Sequence, residues 1–370
     1  MKPTSWILKF LFLSLLTLLS MGVINFILDP FQQYRKAQFY KPIYDNERYL
    51  NPGLAKTYDY NEVIIGSSMT ENFLLSDTRD ILGFTKPIKF SMSGATAYEI
   101  KIMLDSAYQH RKIDSVIYGI DLFSFTGEST RLFHGEGSLP FYLYDNNRLN
   151  DYRYLLSFDT FKFFVDSFVL SKPEVMFDFN RMYQWQHTFN EDDFNRKDRI
   201  DEWREKYGFN PDYTKNEYTL KAMKANIDTN LIPLIQHHPE TTFYLFYPPY
   251  SILAFKDMQN KGWLNTVEQF KYYLFTQLAH YPNVKIYDFQ ASKEVTCNLD
   301  NYKDLLHYHQ RINSWMLGEM KNKSYLIEDT TELQQYNQSL SKNIQEFSES
   351  ELNCVKIMTK TLSPKVNHVI

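Results

Sequence analysis

An uncharged, mostly apolar segment, Phe10–Leu28, lies near the start of this 370-residue chain. At about 1.5 Å per helical residue, its roughly 19 residues nearly cover the ~30 Å hydrocarbon core of a bilayer. Lys2 and Lys9 precede the segment and Asp29 follows it, so the positive-inside rule places residues 1–9 in the cytoplasm and the rest of the chain outside. The segment predicts a single transmembrane signal anchor that carries an exported domain.

Two other interpretations of this segment are a cleaved signal peptide and the core helix of a soluble domain. No A-x-A-like pattern of small residues closes the segment, which argues against cleavage. A core helix fits poorly, because the segment is apolar all round and lies at the very start of the chain. The predicted location is therefore the cytoplasmic membrane, with one span and the C-terminal domain in the periplasm or outside the cell.

The composition of the chain excludes several classes of protein. Hydrophobic residues make up 44%, too many for a disordered chain. Lys+Arg number 40 against 44 Asp+Glu, and no basic stripe is visible, so nucleic acid is not an expected partner. The aromatic content of 17% is unusual and suggests a surface that stacks on sugar rings. Cys297 and Cys354 exclude a disulfide scaffold or a cysteine-rich zinc module, and could form one bridge or remain two thiols.

Short apolar runs alternate with helical periodicity from about Asp59 onward, which is typical of a parallel sheet covered by helices on both faces. The predicted strands are residues 63–65, 87–90, 116–118, 242–246 and 284–287. Helices are predicted over residues 98–109, 264–280 and 310–320, and another from Thr214, whose spacing to Glu217 fits a capping box. The predicted fold class is α/β with a three-layer parallel sheet.

Residues 125–213 do not fit the alternation. They are aromatic and charged, with a helical run over residues 151–169. We interpret them as an insertion after the third strand that covers one end of the sheet as a lid; a second structural subdomain without a ligand role is the alternative. The exported domain is predicted over residues 29–325, and residues 326–370 form a polar, peripheral and partly helical tail. Three aromatic residues of the insertion could stack on a sugar or only pack the insertion: Tyr142, Tyr144 and Trp185.

Polar residues follow the ends of the predicted strands, where parallel sheets bind their ligands. The first strand ends in Gly66-Ser67-Ser68; glycine permits a sharp turn, and the next helix offers free N–H groups to an oxyanion. A serine nucleophile needs an imidazole, and the imidazole needs a carboxylate. Asp304 and His307 are three residues apart, which on a helical turn places them on one face. A helix cap and a surface hydrogen bond are the plainer explanations, but the order of these residues and their flanking strands favour a catalytic set.

These residues resemble the SGNH (GDSL-like) hydrolases and acyltransferases. The likeness is greatest to the membrane-anchored exported members associated with cell-envelope polysaccharide and teichoic-acid modification, such as the DltD-like and AlgJ/AlgX-like proteins. It is carried by residues 63–73, VIIGSSMTENF, by residues 304–308, DLLHY, and by Asp29-Pro30 beyond the anchor. The resemblance covers roughly residues 30–325 and implies a flavodoxin-like three-layer sheet of the SGNH type.

The resemblance also implies a role for each matching residue. Ser68 takes the position of the nucleophile, because the serine of the family is the third residue of a Gly-x-Ser triplet. Ser67 stands where many members have Asp. His307 corresponds to the general base and Asp304 to the carboxylate that orients it. Gly94 matches the second-strand glycine whose backbone N–H contributes to the oxyanion hole.

The chain departs from the family at the third strand, where Gly119-Ile120-Asp121 replaces the motif Gly-x-Asn. An ionised carboxylate that faces an oxyanion would repel it, whereas an amide would donate a hydrogen bond. Asp121 is therefore expected to be protonated, to be turned away, or to have another role, such as holding a polar group of the substrate.

We expect an exported serine esterase or O-acyltransferase that acts on acyl esters, in particular acetyl esters, of an envelope polysaccharide. No cofactor or metal is expected, because a His-x-His pair of His307 and His309 lacks the further ligands that a metal needs. The expected partners are the membrane, an acylated glycan and a bilayer-spanning acyltransferase that supplies the acyl donor. Two alternatives are a non-catalytic polysaccharide-binding scaffold with the same fold and a lipase or thioesterase.

Overall fold

The computed structural model describes the backbone of residues 3–169, 172–207 and 219–361, and side chains at 5–166, 172–205 and 219–347. Within these ranges the chain folds as an α/β protein around one five-stranded sheet. The strands are β1 Glu62–Ile65, β2 Pro87–Lys89, β3 Ser115–Gly119, β4 Thr242–Tyr247 and β5 Val284–Asp288. All five confirm strands predicted from short apolar runs, as expected where both faces of a strand are buried.

Helices connect the strands and flank the sheet. Residues Ile227–Leu231 form a π-helical turn that joins two of them. The α-helices are α1 Pro3–Leu28, α2 Glu47–Thr57, α3 Leu75–Leu82, α4 Ala97–His110, α5 Tyr152–Leu155, α6 Phe158–Val169, α7 Arg196–Tyr207, α8 Leu220–Asn226, α9 Ile232–His237, α10 Ile252–Asn260, α11 Leu264–Leu278, α12 Lys293–Thr296, α13 Gln310–Asn322 and α14 Thr330–Thr361.

The sheet is entirely parallel, with the strand order β2-β1-β3-β4-β5. This is the order of flavodoxin-like doubly wound sheets, in which ligands bind where the strand order reverses, between β1 and β3. Right-handed crossovers place α3 and α4 on opposite faces, because β2 lies to one side of β1 and β3 to the other. The helix contacts agree, since α3 packs on α13 whereas α4 packs on α2 and α9.

The helices predicted over residues 98–109, 264–280 and 310–320 are confirmed as α4, α11 and α13. The start predicted at Thr214, with its capping partner Glu217, lies outside the described residues. The helix that the structure describes next is α8, and its N-cap is Thr219, whose hydroxyl accepts a hydrogen bond from the backbone N–H of Ala222.

Helix α1 is long and apolar enough to cross a membrane. Its candidate span is Ser5–Leu28, with a mean hydropathy of 2.3, and only 6% of the span is buried against the rest of the protein. A mostly buried core helix would pass the same hydropathy test, but this helix leaves its apolar side chains exposed. The prediction of one apolar helix at this position is confirmed.

Residues 125–213 do follow β3 and hold α5, α6 and α7 together with several short 3₁₀ turns. The helical run predicted over residues 151–169 is divided into α5 and α6, because Leu156 and Ser157 leave the helical path. The Asn25 side chain of α1 binds at this break: its Nδ2 donates to the carbonyls of Leu155 and Ser157.

The tail predicted from residue 326 is helical, as expected, but its described part packs against the domain and is not peripheral, so the helix at residues 310–320 is not the last of the domain. The backbone N–H of Ile327 donates to the carbonyl of Ile286, which adds a short edge to β5. Helix α14 then packs against α10 and α11. The sequence of α14 is polar enough to conceal a single apolar stripe at helical spacing, and the structure buries that stripe: Leu333, Leu340, Ile344 and Phe347.

Candidate active site

The turn after β1 presents Ser68 at the reversal point of the sheet. Ser67 caps a short 3₁₀ turn, Ser68–Thr70, because its hydroxyl accepts a hydrogen bond from the backbone N–H of Met69 at 3.3 Å. The Thr70 hydroxyl donates back to the carbonyl of Ser67 at 2.8 Å. Gly66 is required at this point, since an added Cβ would meet Thr70 Cγ2 at 2.7 Å. Ser68 is left half-buried, with its hydroxyl at the carboxyl edge of the sheet.

The structure brings the predicted hydroxyl, imidazole and carboxylate together. Ser68 Oγ lies 2.8 Å from His307 Nε2. His307 Nδ1 lies 2.8 Å from Asp304 Oδ2 and 3.1 Å from Asp304 Oδ1. Both distances to the imidazole are within hydrogen-bonding range, so the three groups form one continuous chain. The side chains of His307 and Asp304 are 24% and 29% exposed, so a substrate can reach them from solvent.

Asp304 and His307 do not lie on a helical turn, as the spacing had suggested. They belong to a loop whose ends are joined by an antiparallel bridge between Tyr302 and Tyr308. Asp304 Oδ1 accepts the backbone N–H groups of both Leu306 and His307 at 2.8 Å. A short acidic side chain that binds the backbone in this way replaces helical hydrogen bonds, and it closes the loop instead.

Three hydrogen bonds fix this loop relative to the Ser68 turn and to the end of β4. The Tyr308 hydroxyl donates to the carbonyl of Met69 at 2.9 Å, directly beside Ser68. Ser251 Oγ donates to the carbonyl of Leu305 at 2.7 Å, and the Tyr302 hydroxyl donates to the carbonyl of Pro249 at 2.8 Å. The geometry of the three groups is therefore held by buried neighbours on both sides rather than by the loop alone.

The surroundings of Asp304 favour its ionised form. Burial alone would raise the pKa of this carboxyl, but the hydrogen bond and charge of His307, together with the charge of Lys303, lower the pKa well below its usual range. Lys303 Nζ lies 3.1 Å from Asp304 Oδ2. An ionised Asp304 keeps the proton of the imidazole on Nδ1 and leaves Nε2 free to accept a proton from Ser68.

Because the pKa of Asp304 is lowered in the folded protein, the difference in stability between the wild type and Asp304→Asn should depend on pH. Because the folded pKa lies below the unfolded value of about 3.9, the ionised carboxylate stabilises the fold above that value, and this stabilisation is lost as the pH falls through the folded pKa. The melting temperature of Asp304→Asn should therefore lie below that of the wild type at about pH 5, and the interval between the two should narrow as the pH falls below about 4.

Thermal unfolding of the full chain in detergent, followed by tryptophan fluorescence, measures this interval. Asp80→Asn is the matched control, because Asp80 is an exposed aspartate on α3. If the difference in melting temperature between the wild type and Asp304→Asn stays constant from pH 7 to pH 3, the expectation is contradicted.

Two backbone N–H groups near Ser68 remain free to bind an oxyanion. Those of Ser68 and Gly94 donate no hydrogen bond to any residue within the described ranges. Gly94 has a φ of +63°, which favours glycine, and the ring of Phe133 occupies the space that a Cβ would need. The loop that holds Gly94 lies beside the Ser68 turn, since the backbone N–H of Met92 donates to the carbonyl of Gly66 at 3.0 Å.

Asp121 is held by its neighbours. Its Oδ2 accepts a hydrogen bond from Ser67 Oγ at 2.7 Å, and its Oδ1 accepts one from the Tyr250 hydroxyl and one from the backbone N–H of Phe123. Of the three expectations for this residue, the contacts favour the last, that Asp121 has another role. That role is to bind a protein group rather than the substrate, because Asp121 orients Ser67, which caps the turn that carries Ser68.

The insertion reaches the site through Trp185, a contact that sequence reasoning missed. The indole N–H donates to the carbonyl of Ser68 at 3.0 Å, and the ring meets that of His307 edge-on, with centroids 5.5 Å apart. Lys303 Nζ lies over the rings of both Trp185 and Phe189. An aromatic rim that includes the Lys303 ammonium therefore lies next to Ser68, His307 and Asp304. The contact was hidden because Trp185 is far from Ser68 along the chain.

The other aromatic residues singled out in the insertion pack the protein. Tyr144 is buried, and its hydroxyl donates to the carbonyl of Arg48. Tyr142 is half-buried against the core, with Arg153 over its ring. Both side chains are less exposed than that of Phe189, which is 37% exposed and lies near Ser68, His307 and Asp304.

His309 has a structural environment. Its Nε2 lies 2.7 Å from Gln186 Nε2 and 3.0 Å from Glu191 Oε1, and its Nδ1 accepts the backbone N–H of Arg311 at the start of α13. Among the described side chains, no three His, Cys, Asp or Glu residues are grouped as a metal site would require. Cys297 is a free thiol, and the side chain of Cys354 lies outside the described residues.

Comparison with the models of known protein families finds no match to this chain. Comparison with the curated proteins finds no related sequence.

Proposed function

We propose that the protein is a membrane-anchored serine esterase or O-acyltransferase of the SGNH type, with its domain on the outer side of the cytoplasmic membrane. The hydrogen-bonded chain from Ser68 through His307 to Asp304, at the reversal point of a parallel sheet, is the observation that carries the proposal. This arrangement meets the requirements of a serine nucleophile. A base, His307, lies next to the hydroxyl, a carboxylate orients that base, and free backbone N–H groups lie nearby.

The reaction proceeds in two balanced halves. Ser68 Oγ attacks the carbonyl carbon of the acyl ester while its proton passes to His307 Nε2. The free N–H groups of Ser68 and Gly94 stabilise the negative oxygen of the tetrahedral intermediate. Collapse of the intermediate breaks the bond to the alcohol, which leaves with the proton from His307. In the second half, His307 Nε2 takes a proton from water or from a sugar hydroxyl while the oxygen of that group attacks the acyl carbon. The bond between the acyl carbon and Ser68 Oγ then breaks, and His307 returns the proton to Ser68 Oγ.

The surroundings of Ser68 favour a glycan as the alcohol in these steps. Trp185 and Phe189 are aromatic rings of the kind that stack on sugars, and Lys303, which lies over both rings and pairs with Asp304, adds a hydrogen-bond donor beside them. We infer that the insertion acts as a lid, because Trp185 touches both Ser68 and His307. Of the possible acyl groups we propose a small one, such as acetyl, because the insertion partly covers Ser68. Helix α1 would hold this site near a bilayer-spanning acyltransferase that supplies the donor.

Covalent labelling by a fluorophosphonate tests the proposal. We expect the full chain to react, with the label on the peptide that contains Ser68, because only an activated serine attacks phosphorus at a useful rate. Ser68→Ala should lose the label, whereas Ser341→Ala on α14 should keep it. Absence of labelling, under conditions in which a control serine hydrolase reacts, would contradict the proposal that the protein is a serine enzyme. The alternative of a non-catalytic binding scaffold would then remain.

Acyl analysis of cells that lack the protein identifies the substrate class. A change in the ester-linked acyl groups of the envelope glycan, restored by the wild type but not by Ser68→Ala, is the expected result. If the acyl groups change only in lipid, then lipid rather than glycan is the substrate, and the lipase or thioesterase alternative is favoured.

A further inference from the structure

The break between α5 and α6 exposes a group of large apolar side chains. Tyr152 is 55% exposed, Leu156 is 40% exposed and Phe158 is 63% exposed. We call these three residues the α5–α6 corner. Exposed apolar groups that adjoin one another mark a surface that contacts an apolar partner.

The α5–α6 corner is continuous with the candidate membrane span. Helix α1 packs against both α5 and α6. The Asn25 side chain of α1 donates to the carbonyls of Leu155 and Ser157 at 2.8 and 2.9 Å, so the corner is fastened to the span on either side of Leu156. Leu156 Cδ2 lies 3.3 Å from the Cβ position of Gly22, where the absence of a side chain lets the corner approach closely.

The position of Gly22 sets the depth of the corner. Gly22 lies six residues before Leu28, which corresponds to about 9 Å along the helix axis toward the membrane. The span Ser5–Leu28 is 24 residues long, or about 36 Å, only slightly more than the ~30 Å hydrocarbon core. A span that crosses the bilayer therefore carries Leu156 below the headgroups. Interfacial segments bury their apolar face to a similar depth, about 5–10 Å.

The polar groups around the corner suit the headgroup level. Arg35 donates to the carbonyl of Phe26 near the end of α1, and its guanidinium lies over the Phe26 ring. Arg148 and Arg153 are exposed beside the same end of the protein, over the rings of Tyr34 and Tyr142. Aromatic rings and basic side chains at this level are typical of a membrane interface.

The end of α1 is fixed rigidly to the domain. The Asp29 carboxylate accepts the backbone N–H groups of Gln33, Tyr34 and Arg35 at 2.8 to 3.0 Å, together with the Tyr154 hydroxyl of α5 at 2.9 Å. The three backbone bonds fix the turn that follows α1, and the Tyr154 bond joins this turn to α5. Together with the two Asn25 bonds, they limit how far the domain can swing about the anchor. The corner must therefore enter the bilayer whenever α1 does.

We propose that the α5–α6 corner inserts among the acyl chains of the outer phospholipid leaflet, beside α1. The protein then contacts the bilayer at two points, and its domain is held in one orientation rather than on a flexible tether. This inference rests on the proposed membrane span of α1, and it adds a second lipid-binding element within the insertion.

Hydroxyl-radical footprinting of the full chain in phospholipid nanodiscs tests the insertion of the corner without any mutation. Tyr152 and Tyr272 form a matched pair, because they are the same residue type and are 55% and 50% exposed. Lipid should protect Tyr152 and leave Tyr272, on α11, in water. We expect Tyr152 and Phe158 to be oxidised several-fold more slowly than Tyr272, when the rates are measured by mass spectrometry.

Phe12, which is 65% exposed in the middle of the span, separates the two possible failures. If Phe12 is protected but Tyr152 is oxidised as fast as Tyr272, the span stands and the insertion of the corner is refuted. If Phe12 is oxidised as well, both the span and the inference fail. Protection of Tyr152 in native membranes but not in nanodiscs would assign the corner to a protein partner and would also overturn the lipid proposal.

Discussion

Replacing His307 by alanine is expected to slow acyl transfer and fluorophosphonate labelling by about 10²–10⁴-fold, the usual contribution of a positioned general base. The hydroxyl of Ser68 is a weak nucleophile at neutral pH, and Nε2 of His307, at 2.8 Å, is the group placed to take its proton. The initial rate of label incorporation into the full chain, followed at a fixed probe concentration, measures the loss.

Two comparisons make the His307 prediction specific. His280→Ala removes an exposed imidazole at the end of α11 and should leave the labelling rate unchanged. The catalytic groups act as a unit, so Ser68→Ala/His307→Ala should hydrolyse a small ester no more slowly than Ser68→Ala alone. Additive losses in the double variant would indicate that the two residues act independently, and the proposed relay would then be wrong.

The strands and the serine turn could be predicted from the sequence because each depends on local pattern. A strand that is buried on both faces must be a short apolar run, as β1 and β3 are. The pairing of Ser68 with His307 was predictable for another reason: parallel strands end at one edge of the sheet, so polar residues that follow different strands converge there. The loop geometry of Asp304 was not predictable, because a spacing of three fits both a helical turn and a side chain that closes a loop.

The remaining features depend on contacts between distant segments, which local pattern does not reveal. Trp185 reaches Ser68 across 117 positions, and no residue near it signals that contact. Helix α14 was mistaken for a peripheral tail, because its few buried apolar residues are separated by polar ones in the sequence. The buried partner of Arg48 was equally hidden, since a lone arginine in a polar stretch is most often exposed.

Arg48 links helix α2 to the loop that holds Gly94. Its Nε and Nη2 donate to the two carboxylate oxygens of Glu99 at 3.0 and 2.9 Å, and Nη2 also donates to the carbonyl of Ser93 at 3.1 Å. The two side chains are 8% and 0% exposed. Glu99 in turn forms a capping box with Thr96 at the start of α4. One guanidinium therefore supports both the start of α4 and the backbone next to Gly94, the proposed oxyanion donor.

Arg48→Ala is expected to destabilise the fold by about 3–5 kcal/mol, because it leaves the Glu99 carboxylate buried without its counter-ion. It should also slow labelling of Ser68, since the carbonyl of Ser93 loses its donor and Gly94 loses a fixed position. Arg48→Lys should recover only part of both losses, because an ammonium cannot match the two oxygens of Glu99 as a planar guanidinium does. Thermal and denaturant unfolding of the full chain, together with labelling rates, measure these effects.

Lys41→Ala is the matched control, because it also removes a cation from an ion pair. Lys41 and its partner Glu174 are 74% and 83% exposed, and such pairs contribute only about 0–1 kcal/mol. The double variant Arg48→Met/Glu99→Leu should be more stable than Arg48→Ala, because it leaves neither member of this pair buried without the other. If Arg48→Ala unfolds at the same temperature as Lys41→Ala, then the buried pair is not needed for stability. The position of Gly94 would then be set by the backbone conformation of its own turn and by contact with the ring of Phe133.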